Sequence, residues 1–257
     1  MESLYQQIIS KFIKIVFFAL LFLLSCSSNV NEEVKTPLKG FEEAEPGKYI
    51  DLAGGRLYLP EQWNNDPDEE WPVTVILHGY GTLQRSMSMW PYWIPLAEEL
   101  GIVLFFPGRD SFGWDESRNS LDTIMLKNIF RDFRKMHWVK QDSIQLFGIS
   151  SGAIMALGMT AINTRQKDGT LLFDKAAAAS GGFGYVMEKE IQRDPELKHA
   201  VPIPLFIFWG DKEYKDHGSD AAQFFNNLGW IVETASHSGG HEFPESCVRK
   251  VLGKNRK

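Results

Sequence analysis

The sequence predicts an α/β protein with a mostly parallel sheet, and three segments carry that prediction. Val73–Leu77 and Ile102–Pro107 are short, continuous apolar runs, which are typical of strands buried on both faces. The segment between them ends at Leu100-Gly101, and glycine commonly terminates a helix. A third run, Ser143–Ile149, leads into a Gly/Ser turn followed by small and apolar residues suited to a helix against a sheet. Strand, helix, strand is the order that builds parallel sheets.

Elements on either side of these segments complete one domain. Tyr49–Leu52 and Arg56–Pro60 predict a hairpin, because they flank Ala53-Gly54-Gly55. Apolar residues at helical intervals predict a helix from Leu121 to Met136, and Asp122 lies near its start, where a carboxylate suits the helix dipole. Three further strands are predicted: Ala176–Ser180, where a helix is the competing interpretation, Pro204–Trp209 and Ile231–Ala235.

The charged stretch Tyr185–Ala200 has two interpretations, a small lid or a solvated helical insertion. With 257 residues, 44% of them hydrophobic, the chain fills one domain and leaves no room for a large cap. The net charge is −6 and no basic run stands out, so nothing supports nucleic-acid binding.

The N-terminus predicts export. Ile15–Ser25 is an apolar run preceded by Lys11 and Lys14; it is too short to span a bilayer and has the length of a signal-peptide core. Leu23-Leu24-Ser25-Cys26 resembles the bacterial lipobox, in which the cysteine becomes lipid-modified. An ordinary cleaved signal or a short anchor is the alternative.

We therefore expect a lipoprotein signal peptide at residues 1–25, a flexible polar tether at 26–46 and a catalytic domain at 47–257. The lipid on Cys26 would hold the exported protein to a membrane, in the periplasm or at the cell surface. Cys247 is then left without a partner, which excludes a disulfide framework.

Gly148-Ile149-Ser150-Ser151-Gly152 follows the predicted strand and precedes the predicted helix. That context is typical of a nucleophile elbow, a turn so sharp that Ser150 is exposed at its tip. Glycines at 148 and 152 provide the space because they have no Cβ. A Gly/Ser-rich turn without catalytic function is the alternative, and Ser151 is a rival nucleophile that is out of register with the glycines.

A serine nucleophile requires a base that accepts its proton and an acid that orients the base. In a parallel sheet these groups should follow the carboxyl ends of strands. Candidate acids follow the strand that ends at Trp209, and candidate bases follow the last strand. The acids are Glu213, Asp211 and Asp216, and the bases are His241 and His237.

Four motifs in this order resemble the α/β-hydrolase family, from about Tyr49 to the C-terminus. They are His78-Gly79-Tyr80-Gly81, Gly148 to Gly152, Gly210 to Glu213, and Gly240-His241-Glu242-Phe243. The resemblance implies an α/β-hydrolase fold, with a mostly parallel central sheet, helices on both faces and no large cap domain. Within the family, lidless secreted esterases similar to polyhydroxybutyrate depolymerases and feruloyl esterases are nearest.

The resemblance also implies residue roles. Ser150 would be the nucleophile, His241 the base and Glu213 the acid, with Asp211 and Asp216 as alternative acids. The backbone N–H groups of Tyr80 and Ser151 would form the oxyanion hole. A side-chain hydrogen bond from His78 would brace the oxyanion loop.

The expected activity is that of a serine esterase that cleaves a small-molecule or polymer ester through an acyl-enzyme. No metal and no organic cofactor are expected, because no motif suits either. Peptidase or acyltransferase chemistry uses the same three residues, and a surface binding lipoprotein that has lost catalysis is the alternative of another class. Four aromatic residues either line a substrate pocket or pack in the core: Trp90, Trp93, Trp114 and Phe183. The sequence leaves the oligomeric state open.

Overall fold

The computed structural model describes residues 37–80, 90–108, 113–115, 117, 119–182, 199–213, 217–241 and 245–253. The predicted signal peptide, Cys26 and the first part of the predicted tether lie outside these residues, as does most of the charged stretch 185–200. Within the described residues, no helix is both long enough and apolar enough to cross a bilayer.

Eight strands form one sheet in the order β1-β2-β4-β3-β5-β6-β7-β8. Their bounds are β1 Tyr49–Leu52, β2 Gly55–Tyr58, β3 Trp71–Leu77, β4 Val103–Pro107, β5 Val139–Ile149, β6 Lys175–Ala179, β7 Leu205–Gly210 and β8 Val232–His237. Strand β2 is antiparallel to both of its neighbours, and β3 to β8 are all parallel. The carboxyl ends of β3, β5, β6, β7 and β8 therefore meet at one edge of the sheet.

Helices cover both faces of the sheet. Their bounds are α1 Trp90–Leu100, α2 Leu121–Lys135, α3 Ser151–Ala161, α4 His217–Asn227 and α5 Glu245–Gly253. Buried side chains of α2, α3 and α4 share one core with alternate residues of the strands. Buried side chains of α1 and α5 form a second core against the opposite strand faces. The predicted mostly parallel sheet with helices on both faces is confirmed.

The structure decides between the two interpretations of the alanine run, because β6 is a strand. Its Ala176 and Ala178 face the core that α3 shares, and Ala177 and Ala179 face the other core. A strand between β5 and β7 is buried on both faces, and small side chains there let the helices pack closely.

The predicted helix from Leu121 to Met136 is confirmed as α2, which ends at Lys135. Ser120 caps its first turn by accepting a hydrogen bond from Thr123 N at 3.0 Å. Asp122 is buried and accepts a hydrogen bond from Asp115 N at 2.7 Å, so it fixes the preceding loop as well as lying at the helix start.

The described part of the predicted tether at residues 26–46, which begins at residue 37, contacts the domain. Leu38 is buried, and Pro37 O accepts a hydrogen bond from Gly54 N at 2.7 Å. Phe41, in a short 3₁₀ helix at Phe41–Glu43, stacks on Trp138 with ring centroids 5.0 Å apart. The acidic composition of the segment does not predict this contact, because the contact depends on two apolar side chains, Leu38 and Phe41.

Candidate active site

Ser150 lies between β5 and α3, at φ 56° and ψ −121°. This positive φ is uncommon for a residue with a side chain, and it produces the sharp turn between strand and helix. The flanking glycines are required by close contacts. A Cβ at Gly148 would lie 2.0 Å from Gly152 O, and one at Gly152 would lie 2.3 Å from Leu77 O. The predicted elbow geometry is therefore present.

Ser150, His241 and Glu213 form a hydrogen-bonded chain. The Ser150 hydroxyl donates to His241 Nε2 over 2.8 Å. His241 Nδ1 donates to Glu213 Oε1 over 3.2 Å. The Glu213 side chain is 11% exposed and that of His241 is 57% exposed. A shielded carboxylate thus orients a largely exposed imidazole whose other nitrogen faces the serine.

Backbone contacts fasten the acid-bearing turn to the histidine loop. Asp211 N donates to His237 O at 2.8 Å, and Lys212 N donates to Gly239 O at 3.0 Å. A Cβ at Gly210 would lie 2.4 Å from Gly240 O, so only glycine permits this approach. These contacts set the distance between Glu213 and His241 independently of their side chains.

The rival residues make other contacts. His237 Nδ1 accepts a hydrogen bond from Gly239 N at 3.3 Å, within its own loop. The Ser151 hydroxyl is buried and has no hydrogen-bond partner among the described residues. Asp211 is exposed, and Asp216 lies outside the described residues. Of the candidates that the structure describes, only Ser150, His241 and Glu213 are joined in one chain of hydrogen bonds.

The loop after β3 lies directly beside the elbow. A Cβ at Gly79 would be 3.1 Å from Ser150 Cβ, which places Gly79 directly beside the serine, with Tyr80 as the next residue in the chain. Ser151 is the first residue of α3, so its N–H has no acceptor within the helix and points from the positive end of the helix dipole. Ser151 therefore adjoins Ser150 at the helix start, and the predicted oxyanion residue Tyr80 follows the glycine that contacts Ser150.

His78 is buried and holds this loop. Its Nδ1 donates to Gly79 O at 2.7 Å, as the predicted bracing role requires. Trp114 Nε1 donates to His78 O at 2.8 Å, and the two ring centroids are 5.0 Å apart. Burial lowers the pKa of His78, and its hydrogen bond to Gly79 O opposes that effect in part.

Two residues that shape the site are not predictable from sequence motifs. The sequence places Trp114 in a pocket or in the core, but it carries no signal for the hydrogen bond to His78 O. Gly181 lies under the elbow, where a Cβ would be 2.5 Å from Ser150 O. Its signal in the sequence is the glycine pair Gly181-Gly182, which directly follows the predicted strand Ala176–Ser180.

The aromatic residues predicted to line a pocket or pack in the core lie in different places. Trp93 is fully buried in the core that α1 covers, with its ring 4.9 Å from that of Phe147. Trp114 borders the candidate site, as described above. The side chains of Trp90 and Phe183 lie outside the described residues. No group of His, Cys, Asp and Glu suited to a metal ion occurs in the part of the chain that the structure describes.

Neither a protein-family model nor a curated protein matches the chain. Solved structures do match it. A ferulic acid esterase is 16% identical with a TM-score of 0.57, covering 77% of this chain and 89% of that chain. The fluorophosphonate-binding serine hydrolase F of Staphylococcus aureus is 14% identical with a TM-score of 0.58, covering 82% and 98%. An esterase of Pyrobaculum calidifontis is 15% identical with a TM-score of 0.57, covering 92% and 95%.

At these identities the likeness establishes the fold. The eight-stranded, mostly parallel sheet with helices on both faces is the α/β-hydrolase fold of these esterases and serine hydrolases. The predicted fold class is confirmed.

Proposed function

We propose that this protein is a serine hydrolase that cleaves carboxylic esters through an acyl-enzyme on Ser150. The observation that carries the proposal is the continuous chain of hydrogen bonds from Ser150 through His241 to Glu213. The α/β-hydrolase fold, shared with structures that are esterases and serine hydrolases, supports the same reaction class.

The geometry supports a two-step reaction. His241 Nε2 takes the Ser150 hydroxyl proton as the serine oxygen bonds to the ester carbonyl carbon. The tetrahedral oxyanion would accept hydrogen bonds from the N–H groups of Ser151 and Tyr80, each worth roughly 3 kcal/mol in the transition state. When the intermediate collapses, the alcohol leaves with the proton from His241. Water then attacks the acyl-enzyme, again with His241 as base, and releases the acid.

Exposure of the imidazole favours hydrolysis as the second step. The His241 side chain is 57% exposed, so water can reach the nitrogen that must deprotonate it. Glu213 stabilises the imidazolium that forms in each step, because its carboxylate is hydrogen-bonded to Nδ1. Neither step requires a metal or an organic cofactor.

The test uses the full chain and p-nitrophenyl esters from acetate to palmitate. Ser150→Ala should lower kcat/KM by about 10⁴-fold or more, because the nucleophile is removed. Ser246→Ala, at an exposed serine of α5, is the matched control and should keep wild-type activity. A fluorophosphonate probe should label the wild type and the control but not Ser150→Ala.

Two outcomes would contradict the proposal. One is a wild-type protein that hydrolyses none of the esters and escapes the fluorophosphonate probe, which would favour a binding module on this fold. The other is equal hydrolysis by the wild type and Ser150→Ala, which would place the chemistry elsewhere.

A further inference from the structure

A groove of about 690 Å³ runs along α2, away from Ser150. Its other wall is the connection 162–172 between α3 and β6. We call it the α2 groove. Six of its lining residues are cationic and one, Asp168, is a carboxylate. The groove is therefore positively charged, although the net charge of the whole chain is −6. The cations are Lys127, Arg131, Arg134, Lys135, Arg165 and Lys167.

Two of the six cations are neutralised within the fold. Arg134 Nη2 pairs with Asp174 at 2.8 Å, and its guanidinium also donates to the carbonyl oxygens of Leu171 and Gln141. Lys135 pairs with Asp132 at 3.0 Å. Arg134 thus has a structural role, joining α2 to the opposite wall and holding the groove's shape.

Three other cations keep their charge. Arg131 Nη2 donates to Gln166 Oε1 at 3.1 Å, and Arg165 Nη1 donates to Gly169 O at 2.9 Å. These acceptors are neutral, so they orient the two guanidinium groups without cancelling their charge. Lys167 is exposed, and no carboxylate among the described residues pairs with it. Groups that are oriented beforehand lose less conformational entropy when a ligand binds.

The wall that orients these cations is itself rigidly hydrogen-bonded. Gln166 N donates to Thr170 O at 2.7 Å, and Gly169 N donates to Gln166 O at 2.9 Å. The Asp168 carboxylate accepts from Thr170 N and Oγ1 at 2.9 and 2.7 Å, and these hydrogen bonds lower its pKa. The one negative group of the groove is thus engaged with its own loop.

The positions of the three remaining cations suit an extended ligand. Arg131 lies on α2, whereas Arg165 and Lys167 lie on the facing connection, so cations stand on both walls of the groove. Guanidinium groups bind carboxylate and phosphate oxygens through paired N–H donors. A linear chain with several negative charges would contact several of these cations at once.

The remaining lining residues indicate which class of polymer the groove would bind. None of the groove's lining residues, all of them described, is aromatic, so the groove offers no aromatic ring for a nucleobase to stack on. Asn119 and Thr164 supply an amide and a hydroxyl group, which can form hydrogen bonds with sugar hydroxyls. A groove accommodates a single strand, whereas a bilayer contacts side chains that protrude from a surface.

We propose that the α2 groove binds a strand of anionic polysaccharide whose sugars carry carboxylate groups. Arg131, Arg165 and Lys167 bind the carboxylates, and the polar side chains bind sugar hydroxyls. This site is separate from Ser150, and binding there does not depend on the proposed ester hydrolysis.

The test measures binding of polygalacturonate to the full chain by calorimetry, with dextran as the neutral polymer. We expect binding of polygalacturonate alone, and weaker binding at higher salt, because the contacts are ionic. Arg131→Gln should weaken binding about 3-fold or more, and the triple variant Arg131→Gln/Arg165→Gln/Lys167→Gln at least about 30-fold.

A matched triple variant removes three cations outside the groove: Lys39→Gln/Lys140→Gln/Lys250→Gln. It should bind polygalacturonate as the wild type does, because only its net charge has changed. Thermal unfolding of both triple variants checks that each is folded, and this check needs no enzyme activity. An equal loss in both variants would overturn the proposal, since it would reflect net charge alone.

Three other results would also overturn it. They are no binding of polygalacturonate, tighter binding of single-stranded DNA of equal charge, and binding confined to phosphatidylglycerol vesicles. The DNA result would indicate a nucleic-acid groove, and the vesicle result a site for lipid headgroups. In either case the same three cations would be tested again with that ligand.

Discussion

At the residue scale, the acid beside His241 is the assignment that the sequence left most open. Glu213, Asp211 and Asp216 all follow β7 within a few residues, and spacing alone does not separate them. The structure distinguishes Glu213 from Asp211 by the contacts that each residue makes. Glu213 Oε1 is 3.2 Å from His241 Nδ1, whereas Asp211 is exposed and contributes its backbone N–H to the neighbouring loop.

Glu213→Gln should lower kcat/KM for p-nitrophenyl acetate by about 10³-fold. The amide fills the same space but supplies no charge to stabilise the imidazolium. Asp211→Asn is the matched control and should lower kcat/KM less than about 3-fold. A larger loss in Asp211→Asn than in Glu213→Gln would assign the acid to Asp211 instead.

At the element scale, the segment before β1 is part of the domain. Its 3₁₀ helix places Phe41 against Trp138, at the start of β5, and edge-on to Trp63, which follows β2. Three aromatic rings from separate parts of the chain thus meet at the amino end of the sheet. A protein begun at residue 47 would expose the faces of Trp63 and Trp138 that Phe41 covers.

Phe41→Ala should lower the free energy of unfolding by about 2 kcal/mol, because the ring is partly buried and stacks on Trp138. Chemical denaturation monitored by tryptophan fluorescence measures the change. Glu42→Ala, at the exposed neighbouring position, should change the free energy by less than about 0.5 kcal/mol. Equal stability of Phe41→Ala and the wild type would mean that the segment is not held by this contact.

At the scale of the whole molecule, His78 couples stability to pH. Burial lowers its pKa in the folded state, so the unfolded chain binds a proton at a higher pH than the folded protein does. The free energy of unfolding should therefore stay level above the ordinary histidine pKa of about 6.5 and fall as the pH drops below it. The loop beside Ser150 would be destabilised first, since His78 lies in it.

His78→Asn removes this titration and keeps an N–H donor toward Gly79 O. Between pH 7 and 5.5 the variant should show a shallower dependence of unfolding free energy on pH, by at most about 1.4 kcal/mol per pH unit for one proton. Urea denaturation at several pH values measures the slope. His137→Asn, at an exposed histidine, should retain the wild-type slope. An unchanged slope in His78→Asn would exclude His78 as its source.

Local pattern was enough to predict most of the sheet and one part of the site. Apolar runs identified β3, β4 and β7 because strands buried on both faces need no alternation of polar residues. The elbow at Ser150 was predictable because its geometry depends on glycines within two residues of it. These features depend on residues that are neighbours along the chain, so the sequence alone was enough to predict them.

Only the tertiary structure decided features that depend on contacts between distant segments. The choice of His241 over His237, and of Glu213 over Asp211, depends on how the loops after β7 and β8 fasten to each other. The docking of Phe41 on Trp138 joins segments almost a hundred residues apart, and the α2 groove joins a helix to a loop beyond the next strand. Hydrophobic pattern and turn chemistry act within a few residues, whereas these distances are set by the packing of the whole sheet and its helices.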